Sequence, residues 1–201
     1  MAKLLSTLLM IIGLSACTIA PLPEDHYYRL ETDAPATPQT PGHSNASLTV
    51  TRIHMAGVYS ERPLLYSTAQ APTELRQYHY HYWADSPERQ IQEQLAAYLR
   101  AAHIVGRVNL GNSSPGTDDY QVSGNVRRFE QRLDGSSAHV LVELELAVSR
   151  KVDNTTVLSK TYRVDTAARN SSALASAQGL SQALTQCFAQ FVDDLSAIDP
   201  L

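Results

Sequence analysis

The chain has 201 residues, which is long enough for one domain with a substantial hydrophobic core. Its 16 Lys and Arg against 20 Asp and Glu give a formal net charge of -4, which argues against the basic surface that nucleic-acid binding requires. The cysteines are Cys17 and Cys187. If Cys17 is modified, no internal disulfide can form, and the fold must depend on its core.

The first residues have the three parts of a bacterial secretion signal. Lys3 supplies a positive end, residues 4–14 form an apolar run, and Ser15 and Ala16 are the small residues that cleavage requires. The run is shorter than the ~20 residues that span a bilayer. We therefore expect residues 1–16 to be a signal peptide that is cut between Ala16 and Cys17.

The motif Leu14-Ser15-Ala16-Cys17 resembles the lipobox of bacterial lipoproteins, in which acyl chains such as palmitate are attached to the cysteine. The resemblance implies lipid attachment at Cys17; the alternative is an ordinary signal with an incidental cysteine. Burial of an acyl chain contributes ~0.8 kcal/mol per CH₂, so stable anchoring needs more than one chain, as lipoproteins typically carry. Thr18 replaces the aspartate that retains many lipoproteins in the inner membrane, which favours the periplasmic face of the outer membrane.

Residues 17–25 are predicted to be a lipid-anchored tether, and residues 26–199 the folded domain. From Thr18 to Asp25 the tether reaches less than about 30 Å at ~3.3 to 3.6 Å per residue, so the domain must lie close to its membrane. Residues 26–30 have strand character. Residues 31–47 are rich in Pro, Thr and Ser and are predicted to be a mobile excursion within the domain, because they offer little apolar surface to bury.

Alternation of apolar and polar residues predicts strands at residues 48–53, 64–68 and 78–83. The period then becomes helical: Ser86 suits an N-cap, Pro87 suits the first helical position, and apolar residues recur at helical spacing to Ala102. Strands at 120–126, 140–148 and 158–164 predict an antiparallel meander. A second helix is predicted after residues 170–172, with an apolar stripe from Leu180 to Ile198. These elements indicate an α+β fold, with a largely antiparallel or mixed sheet of six or seven strands covered by two main helices.

The strand at 78–83 carries the candidate surface residues. Simple alternation places Tyr78, Tyr80 and Tyr82 on one face and His79, His81 and Trp83 on the other. The tyrosines could form a surface for a protein partner, because tyrosine is enriched at interfaces, or they could simply pack.

The two histidines point the same way and could both ligate a metal, but the sequence identifies no third ligand. We therefore predict no metal and no other cofactor, and interpret His79 and His81 as part of a half-exposed strand face. Trp83 is expected to be a core residue that seals the following helix rather than a binding residue.

No catalytic residue is predicted. The sequence contains no Gly-x-Ser-x-Gly elbow, no His-Glu-x-x-His, no Gly-rich phosphate loop and no Cys-x-x-Cys. Cys187 lies near the apolar stripe of the last helix and is expected to be a buried, inert thiol. The pairs Asp118-Asp119 and Asp193-Asp194 have diverging side chains and are expected to be solvated rather than to form a carboxylate dyad.

Several segments, taken in order, resemble the auxiliary lipoproteins of ABC-type transport systems, the group that includes the paraquat-inducible protein C lipoprotein. These segments are the lipobox, Tyr27-Tyr28-Arg29-Leu30, residues 48–53, residues 65–68, residues 83–87, Gln94-Leu95 and Tyr98-Leu99. The chain departs from the pattern at Tyr82, where many relatives have a basic residue, and in the His/Tyr alternation of residues 78–82.

The resemblance implies a non-enzymatic subunit of a mammalian-cell-entry (MCE) type system, which moves lipids or other hydrophobic compounds between the two membranes. The implied partners are an MCE-domain protein and inner-membrane transporter components. Homo-oligomerisation is a further expectation, since some relatives form rings. Two alternatives stay open: an assembly lipoprotein of another envelope machine, for secretion or the cell wall, and a stand-alone periplasmic lipid-binding carrier with an apolar cavity.

Overall fold

The computed structural model describes residues 23–35, 45–111 and 118–198. The predicted signal peptide, Cys17 and the first part of the tether lie outside the described residues. So do residues 36–44 of the Pro-rich run, residues 112–117 and the last three residues of the chain.

The described residues form one eight-stranded mixed sheet and two long helices, which confirms the α+β prediction. The strands are β1 His26–Tyr28, β2 Ser47–Met55, β3 Pro63–Thr68, β4 Ala71–Trp83, β5 Arg107–Leu110, β6 Tyr120–Asp134, β7 Ser137–Arg150 and β8 Thr156–Ala167. The helices are α1 Pro87–Ala102 and α2 Ala173–Ser196, and a 3-10 turn at Gly57–Ser60 joins β2 to β3. The predicted count of six or seven strands missed β5, because four residues carry too little periodicity to be recognised.

Strand β6 is the central strand of the sheet. Along one edge it pairs with β7, and β7 pairs with β8, all antiparallel. The other edge is shared: the first half of β6 pairs with β2 and the second half with β3, both parallel. Beyond these strands, β5 continues from β2, while β4 and then β1 continue from β3. The sheet therefore forks into two arms on this side.

The meander of β6, β7 and β8 has the predicted alternation. In β7 the apolar residues Val140, Val142, Leu144, Leu146 and Val148 are all fully buried. Glu143 and Glu145 face the other way and pair across strands with Arg163 and Arg127. Exposed ion pairs contribute only ~0–1 kcal/mol each, so the main consequence of these pairs is a polar, solvated open face.

The two helices cover the opposite face of the sheet. In α1, Ser86 occupies the N-cap position without a side-chain cap bond, and His103 ends the helix with φ 55°. In α2, the Ser172 hydroxyl accepts a hydrogen bond from the Ala175 amide at 3.2 Å. The predicted apolar stripe is buried against the sheet: Leu180, Leu184, Phe188, Phe191 and Leu195.

From the sequence, Gly179 is expected to destabilise α2, but the packing requires a glycine at this position. A Cβ atom at this position would lie 2.9 Å from Val140 Cγ1. The glycine therefore lets the helix backbone approach β7 closely.

Trp83 and Cys187 are in the core, as predicted. The Trp83 ring packs against Phe129 with ring centroids 5.5 Å apart, and both side chains are buried. Burial raises the pKa of the Cys187 thiol to about 12. Because the thiolate is the reactive form, this cysteine is inert at neutral pH.

Candidate functional site: the N-terminal strap

Residues 29–33, here called the strap, leave β1 and lie between α1 and α2. Four consecutive backbone amides donate hydrogen bonds to side chains of the two helices in alternation. The bonds are Leu30 N to Gln90 Oε1 (2.9 Å), Glu31 N to Ser181 Oγ (3.3 Å), Thr32 N to Gln94 Oε1 (3.0 Å) and Asp33 N to Thr185 Oγ1 (3.2 Å).

The alternation follows from the geometry of the two kinds of element. Two residues of extended chain advance ~6.6 Å, and four residues of helix advance ~6 Å. Acceptors spaced four residues apart on each helix therefore meet every second amide of an extended segment that runs in the same direction as both helices. Gln90 and Gln94 provide this spacing on α1, and Ser181 and Thr185 provide it on α2.

Further bonds orient two of the four acceptors. Gln90 donates from Nε2 to the Asp85 carbonyl at 3.0 Å, which turns its oxygen towards the strap. Thr185 donates its hydroxyl proton to the Ser181 carbonyl at 3.1 Å, so its lone pairs are left for the Asp33 amide.

The strap is also fixed by its one large apolar side chain. Leu30 is 2% exposed and belongs to the hydrophobic core. Burial of a leucine side chain contributes about 1.5–3 kcal/mol, and each satisfied hydrogen bond about 0.5–1.5 kcal/mol. Residues 31–33 of the run predicted to be mobile are thus bonded to both helices.

An open groove of about 640 Å³ flanks the strap. Its walls include Tyr27 and Tyr28 from β1, Arg29 from the strap, and Arg169 and Leu174 near the start of α2. The groove is open and largely polar. It therefore does not provide the enclosed apolar cavity that a stand-alone lipid carrier would need.

An aromatic cluster holds β1 against β4. His26 and His81 stack with ring centroids 4.9 Å apart, and the Tyr28 hydroxyl lies 2.8 Å from His81 Nδ1. Burial, and then the neighbouring His26, lower the pKa of His81. This cluster fixes the point at which the chain enters the domain from its N-terminal side.

The family model for the ABC-type transport auxiliary lipoprotein component matches residues 28–192. The chain belongs to this family. The match begins at the last residue of β1 and includes the strap, α1, all the remaining strands and α2 as far as Val192, so the family domain covers most of the described fold.

Two solved structures share the fold of the auxiliary lipoprotein. A crystal structure of a Xanthomonas campestris protein is 23% identical, covers 83% of this chain and 91% of its own, and has a TM-score of 0.72. A PelC dodecamer from Paraburkholderia phytofirmans is 16% identical, covers 84% of this chain and 96% of its own, and has a TM-score of 0.50. At such identities the similarity concerns the fold alone. The comparison with curated proteins gave no match.

The predicted common face of Tyr78, Tyr80 and Tyr82 in the auxiliary lipoprotein is wrong. Tyr80 has φ 64°, and the pairing of β3 with β4 shifts between Pro63–Tyr82 and Leu65–Gln77. This bulge breaks the alternation, because extra residues on one strand turn the next side chains to the other side. The Tyr78 ring consequently contacts His81, with centroids 6.1 Å apart, whereas Tyr82 lies beside Tyr27.

The three tyrosines therefore have different environments. Tyr78 is half-buried, donates to Gln131 Oε1, and burial raises its pKa to about 12. Tyr82 is partly exposed, and Tyr80 is 44% exposed. A partner surface on this strand stays a prediction, and Tyr80 is its exposed member.

The histidines of β4 do not lie together. His79 is exposed beside the Tyr80 ring, and His81 is engaged with Tyr28. Over residues 23–35, 45–111 and 118–198, no three His, Cys, Asp or Glu side chains are grouped so as to hold a metal ion. Within the same ranges, no helix is both long and apolar enough to cross a membrane.

Asp118 and Asp119 diverge as predicted, but the expected solvation of Asp118 is wrong. Its carboxylate is buried and accepts hydrogen bonds from the Thr49 hydroxyl and from Asn109 Nδ2. Burial alone would raise its pKa, but these bonds and the positive charges of Lys151 and Arg107 together outweigh burial and lower it. Asp119 accepts from the Ser47 amide at 2.8 Å, so the pair fastens β2 and β5 to the start of β6.

The sequence interpretation missed the four side chains that bind the strap. Gln90 with Gln94, and Ser181 with Thr185, are polar pairs one helical turn apart, which is a recognisable signal. Solvent-facing pairs with the same spacing are common, however. Only the path of the strap distinguishes these pairs from ordinary surface residues.

Proposed function

We propose that this auxiliary lipoprotein is a non-enzymatic, outer-membrane subunit of an MCE-type system that moves lipids or other hydrophobic compounds across the periplasm. The family match over residues 28–192 carries the proposal. The lipobox ending at Cys17 supports a lipid anchor, and Thr18 supports the outer membrane as its location.

The mechanism that we propose is positional. Cys17 holds the protein in the membrane, and the tether from Thr18 to Asp25 limits its reach to less than about 30 Å. A force on the anchor is borne first by β1, which pairs with β4, and then by the strap, which is bonded to both helices. The domain would thus be held close to the membrane in a limited range of orientations while another of its surfaces engages the MCE-domain protein.

Homo-oligomerisation is part of the proposal. The related fold of PelC is described as a dodecamer. A ring of copies would present several identical surfaces to the periplasmic end of the transporter. Native mass spectrometry of the anchored protein tests this expectation, and a monomer at all concentrations would contradict it.

The experiment for the whole proposal is a crosslinked pull-down from membranes with identification of partners by mass spectrometry. We expect an MCE-domain protein to be recovered with the intact chain and lost with Cys17→Ser, which should fold normally but leave the membrane. Cys187→Ala is the matched control and should stay membrane-bound, since the proposed lipid anchor is at Cys17 and Cys187 is buried in the core. Recovery of secretion or cell-wall components alone would contradict the proposed system.

A further inference from the structure

Large apolar side chains are exposed at four positions among the described residues. They are Tyr27 (57% exposed), Tyr80 (44%), Val152 (87%) and Leu174 (52%). Tyr27 and Leu174 line the same groove beside the strap. Tyr80 lies two residues before Tyr82, the residue that pairs with Tyr27. Three of the four therefore lie where the chain enters the domain, and Val152 lies apart in the turn between β7 and β8.

The backbone of Tyr80 indicates that its exposure is not incidental. A φ of 64° is a left-handed conformation that bulky residues rarely adopt. Such strain persists only where the surrounding structure imposes it, and it is concentrated at functional positions. The Tyr80 side chain stays 44% exposed, and its ring contacts the exposed His79 ring with centroids 6.4 Å apart.

Arg62 gives this surface a polar component. Its guanidinium lies 5.4 Å from the centroid of the Tyr27 ring. It is fixed there by bonds from Nε to the Trp83 carbonyl at 3.0 Å and from Nη2 to the Ala84 carbonyl at 3.2 Å. Exposed tyrosine rings beside an arginine are the combination found at the level of lipid headgroups, where rings contact the apolar boundary and the cation contacts phosphate.

We propose that Tyr27, Tyr80, Tyr82 and Arg62, here called the aromatic edge, lie against the phospholipid headgroups of the membrane that holds Cys17. The length of the preceding chain selects this occupant, because Tyr27 follows directly after a tether that reaches less than about 30 Å. The inference rests on the proposed lipid anchor. The contact fixes which side of the domain faces away from the membrane.

The neighbouring charges indicate that the rings, rather than general electrostatic attraction, provide the contact. Glu24 and Asp25 precede β1, and the Tyr27 hydroxyl donates to Asp25. These carboxylates oppose attraction of Arg62 to an anionic surface. The contact should therefore form on zwitterionic phosphatidylethanolamine and phosphatidylcholine, without a requirement for phosphatidylglycerol.

The test uses the full acylated protein in phosphatidylethanolamine and phosphatidylcholine vesicles, with a nitroxide label at His79→Cys or, as the matched control, at Val152→Cys. Both positions are exposed, and the buried Cys187 is not expected to react. Electron paramagnetic resonance measures collisions of each label with a water-soluble nickel complex. We expect a several-fold loss of collisions at position 79 and none at position 152.

A double change of Tyr27→Ser and Tyr80→Asn should restore collisions at position 79 while the protein stays on the vesicles. Asparagine tolerates the left-handed conformation, so the bulge is retained. Equal collision rates at positions 79 and 152 in the acylated protein would overturn the inference and leave the anchor intact. Absence of acyl chains on Cys17, measured by intact mass, would instead overturn the proposed function and this inference with it.

Two further outcomes would also overturn the inference. Protection of position 79 in the Cys17→Ser chain without vesicles would show that copies of the protein cover the aromatic edge. Protection that appears only with phosphatidylglycerol would show binding driven by charge rather than by the rings.

Discussion

The meander of β6, β7 and β8 and the arm of β1, β3 and β4 belong to one sheet but are built differently. In the meander, β7 has a nearly continuous register with both neighbours and buries a row of aliphatic side chains. In the arm, β4 contains a bulge, and β1 pairs with it over three residues. We infer from this contrast that the meander and α2 stabilise the fold, whereas the arm holds the aromatic rings of β1 and β4 and the entering N-terminal segment in defined positions.

The contrast also predicts where the molecule opens first. Local opening is easiest where few apolar contacts and few ladder bonds must be lost. The arm meets this description better than the meander. Four measurements test the difference, from the largest expected effect to the smallest.

Phe188→Ala should cost about 3–5 kcal/mol of unfolding free energy, because the side chain is fully buried between α2 and the sheet and a cavity would remain. Equilibrium unfolding in urea measures the effect. Phe188→Leu is the control and should cost clearly less. A loss below about 1 kcal/mol for the alanine variant would show that α2 does not dominate stability as the comparison requires.

Gln94→Ala should cost about 1 kcal/mol and act on the strap alone, since Gln94 accepts hydrogen bonds from both the amide and the hydroxyl of Thr32. Amide hydrogen exchange should become faster at Thr32 and stay unchanged in β7. The adjacent Glu93→Ala, which removes a surface ion pair with Arg89, is the control. An equal increase of the amide exchange rate at Thr32 in both variants would contradict a specific role for Gln94.

Tyr80→Asn should raise stability by about 0.5–1 kcal/mol, because asparagine adopts the left-handed conformation with less strain. Thermal unfolding checks the sign. The same change should weaken membrane contact, so stability and contact should move in opposite directions. If Tyr80→Asn lowered the stability, the Tyr80 ring would be packed against the fold rather than available as a contact surface.

The pairing of β1 with β4 should weaken at acid pH. Burial and His26 lower the pKa of His81, so the unfolded chain takes up a proton at higher pH than the folded chain does. Stability from the neutral ring is present above about pH 6.5 and is lost as pH falls through the lower folded pKa. Comparison of the pH dependence of unfolding with that of His81→Gln measures this contribution. Identical profiles would contradict it.

The sequence alone determined the parts of the fold that depend on local periodicity. Alternation predicted the meander and its buried face, and helical spacing predicted α1, α2 and the stripe that contains Phe188. These patterns can be recognised in the sequence because, in a regular helix or strand, the position of a residue in the repeat determines whether it is buried. The lipobox likewise predicts Cys17 as the anchor, and that prediction lies outside the described residues.

Only the tertiary structure decided the features that join distant segments. The forked edge of β6 depends on which strands reach it, and the strap depends on Gln90 and Ser181 approaching one chain from two helices. The bulge at Tyr80 inverted the predicted faces, because one shift in register changes the side on which every following residue lies. Local patterns specify elements, whereas register and the path of a connecting segment are set by packing over the whole domain.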